Sequence, residues 1–289
     1  QAAPLVKLAT AQVVAKDLDG ARKSLQDALR IQPDLLDAQL MLGGVEVMGA
    51  RFDEAQKLAR QVQQQKPDNP AGFVLEGDIA LARKDYPAAL AAFERAQKLK
   101  PSGALLVRQL QVFNAMQRPE EGEKRLAVWL TAHPQDARNR AILAESLIKR
   151  MQYASASEHY LILNKSNPGN LVILNNLAWA LFELNDKRAV AFAEQALKLQ
   201  PENPLVMDTY GWILANQGQA AAGLTHLQKA LSKAPDNAEI QFHQAVVLNK
   251  AGDRVHAKSE LERLLATGAH FPQEREARAL LEQLSNKTR

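Results

Sequence analysis

The chain has 289 residues, no cysteine, 36 basic and 32 acidic residues and a net charge of +4. Disulfide and thiol chemistry are therefore excluded, and interleaved charges such as Lys258-Ser259-Glu260-Leu261-Glu262-Arg263 describe a solvated, ion-paired surface rather than a nucleic-acid stripe. Hydrophobic residues make up 46% and aromatics only 5%, as in a soluble helical rod, and the most apolar run, Leu171 to Phe182, is too short to span a bilayer.

Taken in order, the chain is punctuated by Pro33, Pro67, Pro101, Pro134, Pro168, Pro201 and Pro235, spaced 33 or 34 residues apart. A fixed period near 34 marks a repeat array. The frame gives eight units: 2–35, 36–69, 70–103, 104–136, 137–170, 171–203, 204–237 and 238–271. Each unit is predicted to hold two helices. Asp17-Leu18-Asp19-Gly20 turns the first unit, Lys84-Asp85-Tyr86-Pro87 the third, Asn216-Gln217-Gly218 the seventh and Ala251-Gly252-Asp253 the eighth. Each periodic proline closes the second helix, because it cannot continue the hydrogen-bond ladder. Two residues later, Asn69, Asp136, Asn170, Asn203 or Asn237 is placed to cap the next helix, with Pro70 and Pro204 following at the first helical position.

Small residues recur on both helices. Ala9, Gly43, Gly77, Ala144, Ala178, Gly211 and Ala245 mark the first, and Ala21, Ala55, Ala89, Gly122, Ala156, Ala189, Gly223 and Ala257 the second. Small side chains at fixed points let two helices approach closely. The fourth unit offers Leu110 or Gln111 where a small residue is expected, which predicts a splayed or shifted pair. Trp129 falls where other units are often small, and is expected in the core. The last stretch, 272–285, reads as a covering helix with Glu276, Ala279, Leu280 and Leu284 on one side.

On these residues nearly the whole chain resembles the tetratricopeptide repeat (TPR) family. The resemblance implies an all-α fold: a right-handed superhelical solenoid of about eight helix-turn-helix repeats plus a capping helix, one domain over 1–289. It also implies that the first helix of each repeat lines a concave groove. Transferred to this frame, the groove positions are Arg138 and Glu145 in the fifth repeat and Asn175, Asn176, Trp179 and Phe182 in the sixth. They continue with Asp208, Thr209 and Trp212 in the seventh, and Phe242, His243 and Asn249 in the eighth. Trp179 and Trp212 share one position in adjacent repeats. Aromatic faces beside amides and carboxylates suit an extended peptide or a sugar chain. Two readings stand for the tryptophan pair, groove exposure and core packing. Asn175 and Asn176 are expected to face water or a ligand, since an unpaired buried amide is costly.

Chemistry is sparse. There is no glycine-rich phosphate loop, no His-Glu-x-x-His pair and no Gly-x-Ser-x-Gly elbow. The six histidines are scattered without metal-ligand spacing. The expectation is a protein that is not an enzyme, with no cofactor, no metal, no nucleic-acid partner and no membrane insertion of its own.

A narrower resemblance covers roughly 170–285. The runs Asn175-Asn176-Leu177-Ala178-Trp179, Asp208-Thr209-Tyr210-Gly211-Trp212 and Phe242-His243-Gln244-Ala245-Val246, with Leu264 to Phe271-Pro272, are similar to the C-terminal repeats of TPR lipoproteins of the PEP-CTERM/exosortase and exopolysaccharide-export systems. That resemblance implies a periplasmic scaffold, tethered to the outer membrane through a segment preceding Gln1. The absence of an initial methionine is consistent with a mature fragment or excised piece. The rival readings are a cytosolic peptide-tail adaptor, for which Arg108 and Arg138 are the candidate cations, a polysaccharide-binding module, and the regulatory arm of an enzyme.

Overall fold

The computed structural model describes residues 1–286. They form seventeen α-helices and no strand. The helices are α1 (Ala2–Val14), α2 (Leu18–Ile31), α3 (Leu36–Met48), α4 (Phe52–Gln65), α5 (Ala71–Ala82), α6 (Tyr86–Leu99), α7 (Gly103–Ala115), α8 (Pro119–Ala132) and α9 (Ala137–Lys149). They continue with α10 (Tyr153–Ser166), α11 (Leu171–Glu183), α12 (Ala189–Leu199), α13 (Pro204–Asn216), α14 (Ala220–Lys233), α15 (Ala238–Lys250), α16 (Arg254–Ala266) and α17 (Glu274–Asn286). The chain divides into two compact units, Gln1–Ile142 and Leu143–Arg289.

Every repeat turns the same way. The residue after the first helix's C-cap lies in the left-handed region: Lys16, Ala50, Lys84, Gln117, Met151 and Asn185 at φ of 55–61°, then Gly218 and Gly252 at 87° and 91°. In the first repeat the Lys16 amide donates to the Val13 carbonyl at 3.0 Å and the Asp17 amide to that of Gln12 at 2.8 Å. In the eighth, Gly252 donates to Asn249 at 3.1 Å and Asp253 to Leu248 at 2.9 Å. This pair of bonds satisfies helix-end carbonyls and reverses the chain in three residues. Asp17, Asp85 and Asp253 then cap the second helices, accepting from the amides of Gly20, Ala88 and His256. The capping expected before the first helices is present too: Asn69, Asp136, Asn170, Asn203 and Asn237 accept from Ala71, Asn139, Ile173, Leu205 and Ile240.

In the first unit, α1 to α8 pack as antiparallel neighbours, and α3 also touches α5. Ala9, Ala21, Ala55 and Ala89 are fully buried between helices. The fourth repeat is not splayed. Leu110 is buried, and the room it needs comes from Gly122 on the facing helix, where a Cβ would lie 2.7 Å from the Leu110 Cα. The small residue has moved entirely to one side of the contact. Trp129 is not in the core. It is half-buried, stacks on His133 at 3.6 Å and donates its indole N–H to Asp136 at 2.8 Å.

In the second unit the core runs through Leu174, Leu177, Leu181, Ile213, Leu227, Ile240 and Leu261, all fully buried. α17 covers its end with Ala277, Leu280, Leu281 and Leu284. Glu276 and Ala279, expected on that face, are exposed. The helical period places Ala277 and Leu281 beside Leu284 and rotates those two away.

Candidate functional site

The sequence directs attention to the first helices of the last three repeats, within the second unit. There the side chains close on one another. His243 on α15 is 5% exposed, and its Nδ1 lies 2.8 Å and 3.0 Å from the two carboxylate oxygens of Asp208 on α13. Its ring stacks on Trp212 at 4.3 Å and lies 6.2 Å from that of Trp179. The expected side-by-side tryptophans are therefore bridged by an imidazole. Both are half-buried, between the two readings the sequence allowed. The Trp179 indole bonds the Tyr153 hydroxyl, whose pKa burial raises. Lys250 lies 5.7 Å from the centre of the Trp212 ring.

The polar groups expected to meet a ligand are largely engaged within the fold. Thr209 is buried, and its hydroxyl donates to the Leu205 carbonyl at 3.0 Å. Asn176 donates to the Tyr160 hydroxyl at 2.9 Å. Asn175 does not project into water: it is half-buried, and its Oδ1, like Trp212 Nε1, is buried with no hydrogen-bond partner among the described residues. Phe242 is not a groove residue. It packs in the core, 6.1 Å from the Phe271 ring. An aromatic ring beside the apolar faces of α16 and α17 gains more by burial than by exposure.

The first unit is different. Its first helices leave an open cleft of about 480 Å³ between α3, α5 and α7. Leu40, Val74, Leu75 and Leu105 form apolar walls, and Asp78, Arg108 and Lys100 supply the charges. Gly44 on α3 lines the cleft, and a Cβ there would meet nothing within 4 Å. Asp78 pairs with Arg108 across adjacent repeats. Burial pushes the Asp78 carboxyl up to about 6, against the pull of Arg108 in the other direction.

Ala104 and Arg108 also line a second hollow of about 380 Å³, where Arg138 and Gln111 stand. Arg138, which the sequence offered with Arg108 as a candidate cation, is exposed there and makes no ion pair among the described residues. Asp136, on the same wall, accepts from Trp129 Nε1 and from the backbone and side-chain N–H groups of Asn139 at 2.8–3.1 Å. Its pKa is lowered: those bonds outweigh the upward push of burial. The sequence signal that could have found this cleft is negative: Gly44 holds the repeat position that Trp179 and Trp212 occupy in the sixth and seventh repeats.

No group of three or more metal-ligating side chains occurs among the described residues. Nor is any described helix long and apolar enough to cross a membrane.

Tetratricopeptide repeat models match residues 14–75 in one case, and 49–104 and 211–257 in another. The chain carries tetratricopeptide repeats. A TPR repeat-containing protein of Pseudomonas aeruginosa is 25% identical over 237 residues, 80% of this chain and 34% of its own. Protein FlbA of Caulobacter vibrioides is 26% identical over 230 residues, 73% of this chain and 33% of its own. The chain thus spans about a third of the length of these curated relatives. Among solved structures, the APC/C hetero-tetramer Cut9-Hcn1 aligns over 97% of this chain and 55% of its own, with a TM-score of 0.57 at 15% identity. Pseudomonas aeruginosa PilF aligns over 75% and 97%, with a TM-score of 0.55 at 16% identity. A tetratricopeptide repeat protein from Parabacteroides merdae aligns over 86% and 98%, with a TM-score of 0.51 at 17% identity. At these identities the likeness concerns the fold alone.

Proposed function

We propose that this chain is a non-catalytic scaffold that holds a segment of a partner protein along the first helices of its N-terminal repeats, in the export of exopolysaccharide or the sorting of proteins to a bacterial cell surface. The observation that carries the binding role is the cleft between α3, α5 and α7. It combines apolar walls, an ion pair at its edge and room for side chains that the protein itself does not fill. The cell-surface setting and a periplasmic location rest on the resemblance of residues 170–285 to exosortase-associated lipoproteins. The polysaccharide reading loses support, because one face of Trp212 is covered by His243 and is closed to a sugar ring.

Gly44→Leu tests the binding role directly. The added side chain enters open space, so the fold is kept, and replacing a mid-helix glycine adds up to about 1 kcal/mol of stability. With a photo-crosslinking residue at Ala104, the full chain in its native cell is expected to capture its partner, and Gly44→Leu to abolish capture. A crosslinker at exposed Gln61, on α4, is the control. Capture from Gln61 alone, or capture indifferent to Gly44→Leu, would remove the cleft from the function. Fractionation of the producing cell tests the compartment, with a cytoplasmic pool favouring the adaptor alternative.

A further inference from the structure

Arg108 stands at the junction of the two first-unit hollows. It lines both, together with Ala104. On one side it pairs with Asp78, at the margin of the apolar cleft. On the other it faces the hollow that holds Arg138. The charges around the combined site are unequal in availability. Asp136 is held by three hydrogen bonds from Trp129 and Asn139. Asp78 is the partner of Arg108. Lys100 and Arg138 have no ion-pair partner among the described residues and stand at the two ends. In the hollow beside Lys100, Lys66 and Asp68 offset each other. The α3 wall contributes Leu40 and Gly44 and no charge, and the α5 wall no charge but Asp78.

Resting on the binding role given above, we infer that the cleft takes an extended acidic segment, whose apolar side chains seat between α3, α5 and α7 and whose carboxylate draws Arg108 from Asp78 toward Arg138. Apolar walls supply the contact area, and the unpaired cations at each end select the sign of the partner. Two guanidinium groups on one hollow suit a carboxylate, which accepts hydrogen bonds from both. Moving Arg108 has a consequence for Asp78. Its carboxyl already sits high, at about 6, with Arg108 beside it. Deprived of that cation in a buried site, it rises further and takes up a proton. Binding is therefore coupled to proton uptake. Affinity increases as pH falls toward about 6 and levels off below, where Asp78 is protonated in both states.

Anisotropy of a short fluorescein-labelled peptide alternating Leu and Glu, and of its Lys-for-Glu counterpart, tests this on the full chain. The Glu peptide is expected to bind, the Lys peptide not. Binding is expected to tighten by about fivefold from about pH 8 to about pH 6, the effect of roughly one unit of pKa displacement. Asp78→Asn, which holds the site neutral, is expected to bind at the higher pH as the unaltered chain does at the lower, without pH dependence. Arg138→Glu is expected to weaken binding at least about tenfold, through repulsion in place of attraction, with unchanged helical circular dichroism. Equal or tighter binding of the Lys peptide, or an Asp78→Asn variant that binds more weakly or keeps the pH dependence, overturns the inference. Crosslinking from Ala104 that is sensitive to Gly44→Leu would in that case preserve the scaffold role. Binding of neither peptide also overturns the inference, and joined to a loss of crosslinking it removes the scaffold role as well.

Discussion

The two units use one repeat frame and treat its first helices in opposite ways. In the second, Trp179, Trp212 and His243 stack on one another, and the Asp208 carboxylate is bound to the imidazole. In the first, the corresponding region carries Gly44, Val74 and Ala104, and the analogous inter-repeat pair is Asp78–Arg108, beside an open cleft. Both units link neighbouring first helices through an acid on one repeat and a base on the next. The difference lies in the bulk around the link. Aromatic rings fill the space and shut it, while small side chains leave it for another molecule. Aromatic residues on a repeat surface are therefore no guide to the binding surface when a neighbouring repeat supplies a ring to cover them.

Four substitutions break or sharpen that comparison. Trp212→Ala has the largest expected effect. It removes the ring beneath His243 and leaves a gap between α13 and α15, so chemical denaturation is expected to show a loss of about 3 kcal/mol, at the low end for tryptophan because the ring is half-buried. A loss below about 0.5 kcal/mol, the size of an ordinary surface change, would mean that the stack contributes no more to stability than an exposed residue.

Asp78→Asn is next. The folded pKa, about 6, lies above the ordinary 3.8, so the charged carboxylate weighs against the fold. That penalty is absent below the unfolded value, grows as pH rises between the two and is complete above about 6. The variant should exceed the unaltered chain in stability by on the order of 1 kcal/mol at neutral pH, with the gap closing toward pH 4. A gap that widened on acidification would contradict the burial of Asp78.

Effects no larger than that belong to the turns. Ala50→Gly relieves a left-handed residue at φ 56° and should add about 1 kcal/mol, whereas Gly218→Ala, at φ 87°, should lose a similar amount. Equal changes of one sign at both turns would show that they do not share a conformation.

Most of the helical frame was legible in the sequence, because its causes are local. A proline stops a helix wherever it falls in the interior, and the Asn and Asp residues after it can bond the next free amides without help from elsewhere. The candidate site was legible only as a set of positions. Asn176, Thr209 and Phe242 were placed on the right helices, but their side chains turned to Tyr160, Leu205 and Phe271. Tyr160 belongs to the preceding repeat, Leu205 lies one turn back on the same helix and Phe271 at the far end of the same repeat, so a residue's position on its helix does not report which of these it meets. Leu110 gives the same lesson in reverse. Its bulk predicted a splayed pair until Gly122 proved to make room for it.

By itself the sequence determined that this chain folds into paired helices of near-constant length, carries no cysteine chemistry and repeats one turn along its length, because periodicity, helix stops and caps act over a few residues. Only the tertiary structure decided which first helices are closed and which are open. That depends on whether a side chain from a neighbouring repeat fills the space, as His243 does between Trp179 and Trp212, or leaves it vacant, as Gly44 does opposite Val74 and Leu75.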